Sequence, residues 1–289
     1  MTTKSSSLNG LFNPERGARR ARLFGDNGFW YKKRGMNPVC FRILDRPIYW
    51  YGVMVAAAFL AAVIHWNALA RRTRRPPGFG SELGFWIMLC GIVGARIAFI
   101  ISELPSFVAD PGEMLRVDRG GLIFYGGSLG AALGMVVLAR VRKEPILSLA
   151  DFTVTGLPLG HALGRIGCFI NGCCYGSPTG LGFGATYPKN AEAWNLYGDV
   201  PLHPVQLYEA VFNLLLYGFL LWAYPRRKRN GEVLALYLMT YPIARFLLEF
   251  VRGDPRLHWL GLTVAQEISL GLFVVGLALA FIRRGKKSR

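Results

Sequence analysis

Seven runs of apolar residues alternate with shorter polar segments along this chain. The runs lie at about 48–70, 83–101, 121–139, 149–169, 207–224, 233–250 and 262–282. Each run is about long enough to cross a hydrocarbon core ~30 Å thick as an α-helix. The pattern therefore predicts an all-α polytopic membrane protein with about seven transmembrane helices.

The composition agrees with this interpretation and excludes other classes of protein. Apolar residues make up 52% of the 289 residues and charged residues 18%, and the mean hydropathy is +0.30. An average soluble domain carries about 25% charged residues. This balance excludes a disordered chain and a soluble nucleic-acid-binding protein. No nucleic-acid partner is expected, and the net charge of +17 must be interpreted in relation to a membrane.

Basic residues predict the orientation of the chain. The loops after the first, third and fifth runs and the C-terminal tail hold 16 Lys and Arg, whereas loops 103–120, 171–206 and 251–261 hold five. Because basic loops remain cytoplasmic, the C-terminus is expected inside and the N-terminus outside. The basic residues of the N-terminal tail oppose this orientation. Either a re-entrant or interfacial element lies near Gly28–Tyr31, or the later charges override the tail.

The domain organisation follows from these segments. The chain divides into a basic N-terminal tail at 1–47, a seven-span transmembrane domain at 48–282 and a basic cytoplasmic tail at 283–289. The longest outer loop, about 171–206, is rich in Gly, Pro and aromatic residues. This composition predicts a small, compact external cap.

Several charged residues fall inside the predicted spans, where each costs about 2.5–3.5 kcal/mol to insert. They are Arg96, Asp151, His161, Arg165, Arg245 and Glu249, with Arg252 just beyond the sixth span. The spacing of Arg245, Glu249 and Arg252 predicts one shared helix face. One interpretation is structural ion pairing, of Arg245 with Glu249 and of Arg96 with Asp151. The other is a phosphate headgroup site, which the planar guanidinium fork suits, and which the surplus of arginine over carboxylate favours.

Glycines cluster near the third and fourth spans. Gly120, Gly121, Gly126, Gly127 and Gly130 bracket Tyr125, which predicts that Tyr125 lies on a tight turn at the mouth of the third span. Gly156, Gly160 and Gly164 have the spacing of close helix packing. For Gly172 and Gly176, packing and backbone approach to a ligand are equally open.

Cys168, Cys173 and Cys174 lie together at the end of the fourth span. Three interpretations remain open: small packing residues, a disulfide such as Cys168 to Cys173, and a metal or redox site. Zinc prefers four ligands. His161 is one turn or more away and His203 is distant in sequence, so no metal site is predicted. His203 is expected to anchor a loop, with acid–base work as the alternative.

The stretch Gly164-Arg-Ile-Gly-Cys-Phe-Ile-Asn-Gly-Cys-Cys-Tyr-Gly176 resembles the signature of the prolipoprotein diacylglyceryl transferase family. Other blocks resemble the family in the same order: Trp50-Tyr51-Gly52, Gly94-Ala-Arg96-Ile, Ala109-Asp-Pro, Arg116-Val, Gly120 to Gly127, His203-Pro-Val-Gln-Leu-Tyr-Glu209, Arg245 to Arg252, and Gln266. The resemblance spans about residues 48–282.

The resemblance implies a transferase of the bacterial inner membrane. Such an enzyme moves the diacylglyceryl group of phosphatidylglycerol to the lipobox cysteine of a preprolipoprotein, forms a thioether and releases glycerol phosphate. The implied partners are phosphatidylglycerol, the lipobox peptide and membrane lipid, and no cofactor or metal is implied.

The resemblance places seven residues on functional positions of the family: Tyr51, Arg165, Asn171, Gly176, Arg245, Glu249 and Arg252. Tyr125, Arg96 and His203 complete the expected site. The catalytic residues are expected to be Arg165, Arg245 and Tyr125. The substrate-binding residues are expected to be Tyr51, Arg96, Asn171, Gly176, His203, Glu249 and Arg252. Arg165 and Arg245 are expected to converge on one cavity and to stabilise the phosphate as it leaves, while Tyr125 positions the headgroup.

Three positions depart from the family pattern, which usually has His, Asn and Glu where this chain has Tyr125, Cys168 and Cys173. Two other function classes therefore stay open. One is a non-catalytic paralogue that binds phospholipid or lipoprotein precursors. The other is a membrane thiol-disulfide enzyme that uses the cysteine cluster.

Overall fold

A computed structural model describes residues 38–44, 46–116, 120–189 and 191–285. Most of the predicted N-terminal tail, the expected element near Gly28–Tyr31 and residues 286–289 lie outside this part of the chain. The last residues assigned to the predicted N-terminal tail form a hairpin of β1 (Val39–Ile43) and β2 (Arg46–Tyr49). The hairpin leads directly into the first helix.

The remaining elements are mostly helical, as the hydropathy pattern predicts. The helices are α1 (Trp50–Arg72), α2 (Phe79–Ser102), α3 (Leu104–Ala109), α4 (Phe124–Val141), α5 (Ile146–Val154), α6 (Leu157–Asn171), α7 (Glu192–Tyr197), α8 (Val205–Ala223), α9 (Glu232–Glu249) and α10 (Val264–Gly285). Short 3-10 turns occupy Pro111–Leu115 and Tyr224–Arg226, and a two-residue hairpin of β3 (His258–Trp259) and β4 (Leu262–Thr263) precedes α10.

Six helical segments among the described residues are long and apolar enough to cross a membrane. They are Trp50–Arg72, Phe79–Ser102, Phe124–Val141, Ile146–Asn171, Val205–Arg226 and Val264–Ile282. The seventh predicted span is α9, whose 18 residues include Glu232, Arg245 and Glu249. The prediction of an all-α, multi-pass membrane protein is confirmed.

The chain divides into two compact units. One, here called the arginine unit, contains the described residues of Met1–Ala57 together with His161–Leu215 and Thr240–Val274. The other, here called the glycine unit, contains Ala58–Gly160, Leu216–Met239 and the described residues of Val275–Arg289.

Glycines let two helices of the glycine unit pack with their backbones in contact. A Cβ atom added to Gly130 would lie 2.1 Å from the Cys90 carbonyl oxygen, and one added to Gly126 would lie 2.5 Å from the Gly94 carbonyl oxygen. These residues belong to α2 and α4. Close packing of small residues is the usual way for membrane helices to approach each other. Such packing was also expected at Gly156, Gly160 and Gly164. A Cβ added to Gly156 would lie 2.6 Å from Nε1 of Trp66, whereas one added to Gly164 would meet nothing within 4 Å.

Arg96, in α2 of the glycine unit, donates its guanidinium N–H groups to backbone carbonyls. Its acceptors are Glu113, Met114, Arg116, Gly120 and Gly121, at 2.6–3.1 Å. The side chain thereby fixes the loop before α4, where Gly120 and Gly121 take φ values of +86° and +76°. The guanidinium also lies over the Phe99 ring, 5.4 Å from its centroid.

Asp151, in α5 of the glycine unit, is fully buried. It accepts hydrogen bonds from the backbone N–H groups of Gly231 and Leu234, at 2.7 and 2.8 Å, and lies 3.7 Å from Nε of Arg227. The carboxylate thus caps the N-terminus of α9, where the helix dipole favours negative charge. The ion pair considered between Arg96 and Asp151 is wrong, because both side chains bind other groups.

The predicted cap forms a small core of its own within the arginine unit. Its buried residues are Tyr175, Ala185, Tyr187, Ala191, Ala193 and Leu202. Isolated bridges join Gly176 to Arg252, and Pro178 and Ala185 to Leu202. The Gln206 amide donates to the Cys173 carbonyl at 2.7 Å. Segment 171–206 is therefore compact, as its composition predicts.

Candidate active site

Arg165 lies in α6 and forms an ion pair with Glu209 of α8. Its Nε is 3.0 Å from Oε2 of Glu209, whose side chain is 2% exposed. The Arg165 side chain is 22% exposed, so part of it can reach a ligand.

Tyr241 connects this pair to α9. Its hydroxyl donates to Oε1 of Glu209 at 3.4 Å, and its ring lies 5.2 Å from the His161 ring. Nδ1 of His161 is buried and has no hydrogen-bond partner among the described residues. Arg245 lies one turn after Tyr241 on α9. Glu209 and Tyr241 thus link Arg165 to the helix that carries Arg245. The convergence of the two arginines on one cavity stays a prediction.

A chain of alternating charges begins at Arg245. Nη1 of Arg245 pairs with Oε2 of Glu249, and Oε1 of Glu249 lies 3.5 Å from Nε of Arg256. Nη2 of Arg256 lies 2.9 Å from Oδ2 of Asp254. Asp254 also accepts two hydrogen bonds from Arg252, at 2.8 and 2.9 Å. The predicted pair of Arg245 and Glu249 is confirmed as one part of a larger network.

The predicted common face of Arg245, Glu249 and Arg252 is wrong. Helix α9 ends at Glu249, and Arg252 lies in the extended segment that pairs with Gly176. The side chain of Arg252 is 1% exposed, and both arms of its fork engage Asp254. Arg252 therefore holds the base of the cap, and its expected contact with substrate stays a prediction.

The charge balance of the site differs from the one expected. The site holds four arginines and three carboxylates, namely Arg165, Arg245, Arg252, Arg256, Glu209, Glu249 and Asp254. The surplus is one positive charge, because Glu209 and Asp254 neutralise arginines for which the sequence offered no partner. A site with this balance tolerates one added anion.

Tyr51 and Asn171 meet at a cavity of about 550 Å³, whose lining residues are Pro47, Ile48, Tyr49, Tyr51, Gly52 and Asn171. Tyr51 is 44% exposed. The structure thereby brings together two of the predicted substrate-binding residues.

Gly176 and His203 pack against each other at the base of the cap. A Cβ added to Gly176 would lie 2.5 Å from Cβ of His203, and the Gly176 N–H donates to the His203 carbonyl at 3.0 Å. Nδ1 of His203 lies 3.2 Å from the Tyr208 hydroxyl, and burial lowers the pKa of its imidazole. These contacts match the loop-anchoring role. Binding of substrate by either residue stays a prediction.

Tyr125 is the second residue of α4, so the predicted tight turn at this position is wrong. The turn precedes it at Gly120 and Gly121, and the glycines after it belong to the packing with α2. The Tyr125 side chain is 48% exposed and its ring contacts Phe124. Its headgroup role stays a prediction, as does substrate binding by Arg96, whose N–H groups already bind carbonyls.

The five cysteines are free thiols, so the disulfide considered for Cys168 and Cys173 is not formed. The sulfur atoms of Cys168, Cys173 and Cys174 all lie within 4.8 Å of one another. Hydrogen bonds from Cys168 and Cys173 lower the pKa of the Cys174 thiol, and the positive charges of Arg252 and Arg165 lower it further.

Four residues of this arrangement were not predicted from the sequence: Glu209, Tyr241, Asp254 and Arg256. A signal existed for Glu209, which closes the block His203-Pro-Val-Gln-Leu-Tyr-Glu209 and is an acidic residue within the apolar α8. Asp254 and Arg256 follow α9 in a polar loop, where charged residues are ordinary. No sequence signal distinguished them.

The sequence of this chain is similar to those of known proteins. The sequence model of the family "Prolipoprotein diacylglyceryl transferase" matches residues 38–282. A phosphatidylglycerol–prolipoprotein diacylglyceryl transferase from Clostridium tetani is 34% identical over 256 residues, which are 87% of this chain and 100% of that protein. Proteins of the same name from Clostridium perfringens and Idiomarina loihiensis are each 34% identical, over 87% and 88% of this chain and 97% and 95% of their own lengths.

Proposed function

Because this chain belongs to the prolipoprotein diacylglyceryl transferase family, we propose that it transfers the diacylglyceryl group of phosphatidylglycerol to the lipobox cysteine of a preprolipoprotein. The protein is a multi-pass membrane transferase. The observation that carries the assignment of the site is Arg165, a partly exposed membrane arginine paired with the buried Glu209.

In the proposed reaction the cysteine sulfur attacks the glycerol carbon that bears the phosphodiester. A C–S bond forms and the C–O bond to phosphate breaks. The bonding electrons stay on the phosphate oxygen of the departing glycerol phosphate, and the thiol proton is released. Negative charge therefore develops on the phosphate, where guanidinium groups fixed in advance stabilise the transition state.

Arg165 is the side chain best suited to this task. It is paired with the buried Glu209 and its side chain is partly exposed. A planar fork can then offer two N–H groups to phosphate oxygens. Glu209 acts as a positioning residue, and Arg245, held by Glu249, supplies the second positive charge.

Tyr51 and Asn171 contribute from the cavity that they line. A phenol and an amide both donate hydrogen bonds, which suits ester oxygens of the lipid. Holding lipid and peptide in one place converts their encounter into an oriented reaction. In this proposal the C-terminus is cytoplasmic and the N-terminus external, with the transfer in the outer leaflet, which the distribution of basic loops supports.

The direct test is an in vitro transfer assay. Purified protein in detergent is mixed with phosphatidylglycerol labelled in its acyl chains and with a lipobox peptide. We expect the label to appear on the peptide, with a mass gain of one diacylglyceryl group, and to be absent when the peptide cysteine is replaced by serine. Tight binding of lipid and peptide without transfer would instead favour the non-catalytic paralogue.

A variant pair tests the site. Arg245→Ala should lower the transfer rate by roughly 100- to 1000-fold, the scale of removing one oxyanion donor. Arg71 is an exposed arginine in the last turn of α1. The variant Arg71→Ala is therefore the matched control and should retain the transfer rate. Equal rates for the two variants, at equal folded amounts, would contradict the role of Arg245.

A further inference from the structure

The thiols of Cys168, Cys173 and Cys174 form a compact cluster that the transfer reaction does not use. Their three sulfur atoms lie within 4.8 Å of one another. Thiolates bound to one metal ion at about 2.3 Å lie about 3.8–4.0 Å apart. The cluster is therefore close to the spacing that a shared metal ion requires.

The backbone brings the third thiol to the other two. Helix α6 ends at Asn171, and Gly172 and Cys174 both take left-handed conformations, with φ of +73° and +61°. A left-handed conformation is uncommon for a residue with a Cβ atom. Here the fold maintains it at Cys174, whose sulfur lies within 4.8 Å of the other two.

The surroundings of the cluster allow an ion to enter. Cys173 and Cys174 are partly exposed, whereas Cys168 is buried. An ion can therefore reach two ligands from outside and complete its coordination on the third.

We propose that Cys168, Cys173 and Cys174 form a trithiolate site for one thiophilic metal ion. Each protonated thiol releases one proton when it binds the ion. Within the described residues the cluster offers three sulfur ligands and no His, Asp or Glu at the same spacing. Three thiolates without a fourth protein ligand match Cu(I), since soft sulfur ligands select this ion, whereas Zn(II) requires water or another group to complete a tetrahedron.

The test uses the full chain, purified in detergent without an oligohistidine tag. The protein is reduced with a phosphine, desalted without oxygen and shown to contain five free thiols. Cu(I) is then titrated against a chromogenic chelator, and Zn(II) is titrated in parallel. We expect one Cu(I) per chain with a thiolate-to-metal absorbance in the near ultraviolet, and weaker binding of Zn(II).

Serine variants identify the ligands. Cys173→Ser and Cys174→Ser should each weaken Cu(I) binding at least tenfold, whereas the double variant Cys40→Ser, Cys90→Ser is the matched control and should bind like the parent. A second measurement, alkylation of the thiols, needs no variant. Bound Cu(I) should protect Cys168, Cys173 and Cys174 from alkylation and leave Cys40 and Cys90 reactive.

The proposal fails if fully reduced protein binds neither ion at one equivalent per chain, or if binding survives loss of both Cys173 and Cys174. It also fails if the metal protects Cys40 or Cys90 instead. If the protein bound one Zn(II) and no Cu(I), and the same serine variants lost this binding, the trithiolate site would stand and its ion would be Zn(II). None of these measurements depends on the transfer reaction.

Discussion

The two units of the molecule use their charged side chains in different ways. In the arginine unit, Arg165 and Arg245 pair with carboxylate side chains. In the glycine unit, Arg96 and Asp151 bind backbone groups, and Arg96 uses both arms of its guanidinium to do so. A charge inside a predicted span is therefore a functional signal only when its partners are known. Arginines that keep N–H groups uncommitted are the candidates for ligand binding.

The largest expected effect concerns a residue of the glycine unit. Asp151→Ala removes the acceptor of two buried N–H groups and the partner of Arg227. Breaking a buried pair by removing one partner costs about 3–5 kcal/mol. We expect a much lower thermal midpoint in detergent, with the transfer rate per folded molecule unchanged. An equally stable variant would show that Asp151 does not hold α9.

Arg165→Lys tests the opposite behaviour in the arginine unit. Lysine keeps the charge but cannot bind Glu209 through one nitrogen and phosphate through two others. Losing a hydrogen bond to a charged group costs about 1.5–3 kcal/mol, so kcat/KM should fall by about 10- to 100-fold. Arg227→Lys is the matched control, since Arg227 also pairs with a buried carboxylate, and it should keep its transfer activity.

Tyr125 lies in the glycine unit, stands where the family usually has His, and is expected to position the headgroup. Tyr125→Phe should reduce the transfer rate, because it removes one hydrogen bond to a charged group, which contributes about 1–3 kcal/mol. Tyr125→His should retain or raise the rate, because imidazole can both donate and accept a proton near neutral pH. Full activity in the Phe variant would remove the headgroup role. A folded but inactive His variant would indicate a geometry that differs from the family.

The smallest expected effects come from two glycines of the glycine unit. Gly130→Ala places a methyl group against the Cys90 carbonyl, and overpacking costs about 1–3 kcal/mol. Gly218→Ala, in α8, meets nothing within 4 Å and should be neutral or stabilise by up to ~1 kcal/mol, since alanine favours a helix. Thermal unfolding of both variants in one detergent compares them. The same midpoint for both would contradict close packing of α2 and α4.

Hydropathy predicted the helices well because burial in lipid requires long apolar runs. The predicted run at 83–101 became α2 at Phe79–Ser102, and the run at 233–250 became α9 at Glu232–Glu249. The ends of the helices were harder to predict from the sequence. The common face expected for Arg245 and Arg252 assumed that α9 continues, and the chain instead turns to pair with Gly176.

The partners of the charged residues could not be predicted, because they depend on packing between distant segments. Glu209 follows Arg165 by a whole loop and cap, and only the fold brings them to 3.0 Å. The local pattern was also misleading at Tyr125, where Gly126 and Gly130 form a helix-packing surface rather than a turn. Residue types thus indicated the chemistry, while the pairing came from the structure.

The base of the cap has a consequence for hydrogen exchange. The N–H of Gly176 donates to His203, that of Ser177 to Val251, and that of Gly253 to Tyr175, at 2.8–3.1 Å. These amides lie outside every helix and strand, yet all three are hydrogen-bonded, and Tyr175 belongs to a buried aromatic core. They should exchange with deuterium far more slowly than the amides of Leu257 and Leu260, which lie in the exposed hairpin nearby. Slow exchange in a segment without regular structure would identify the cap as a cooperative unit that opens as a whole.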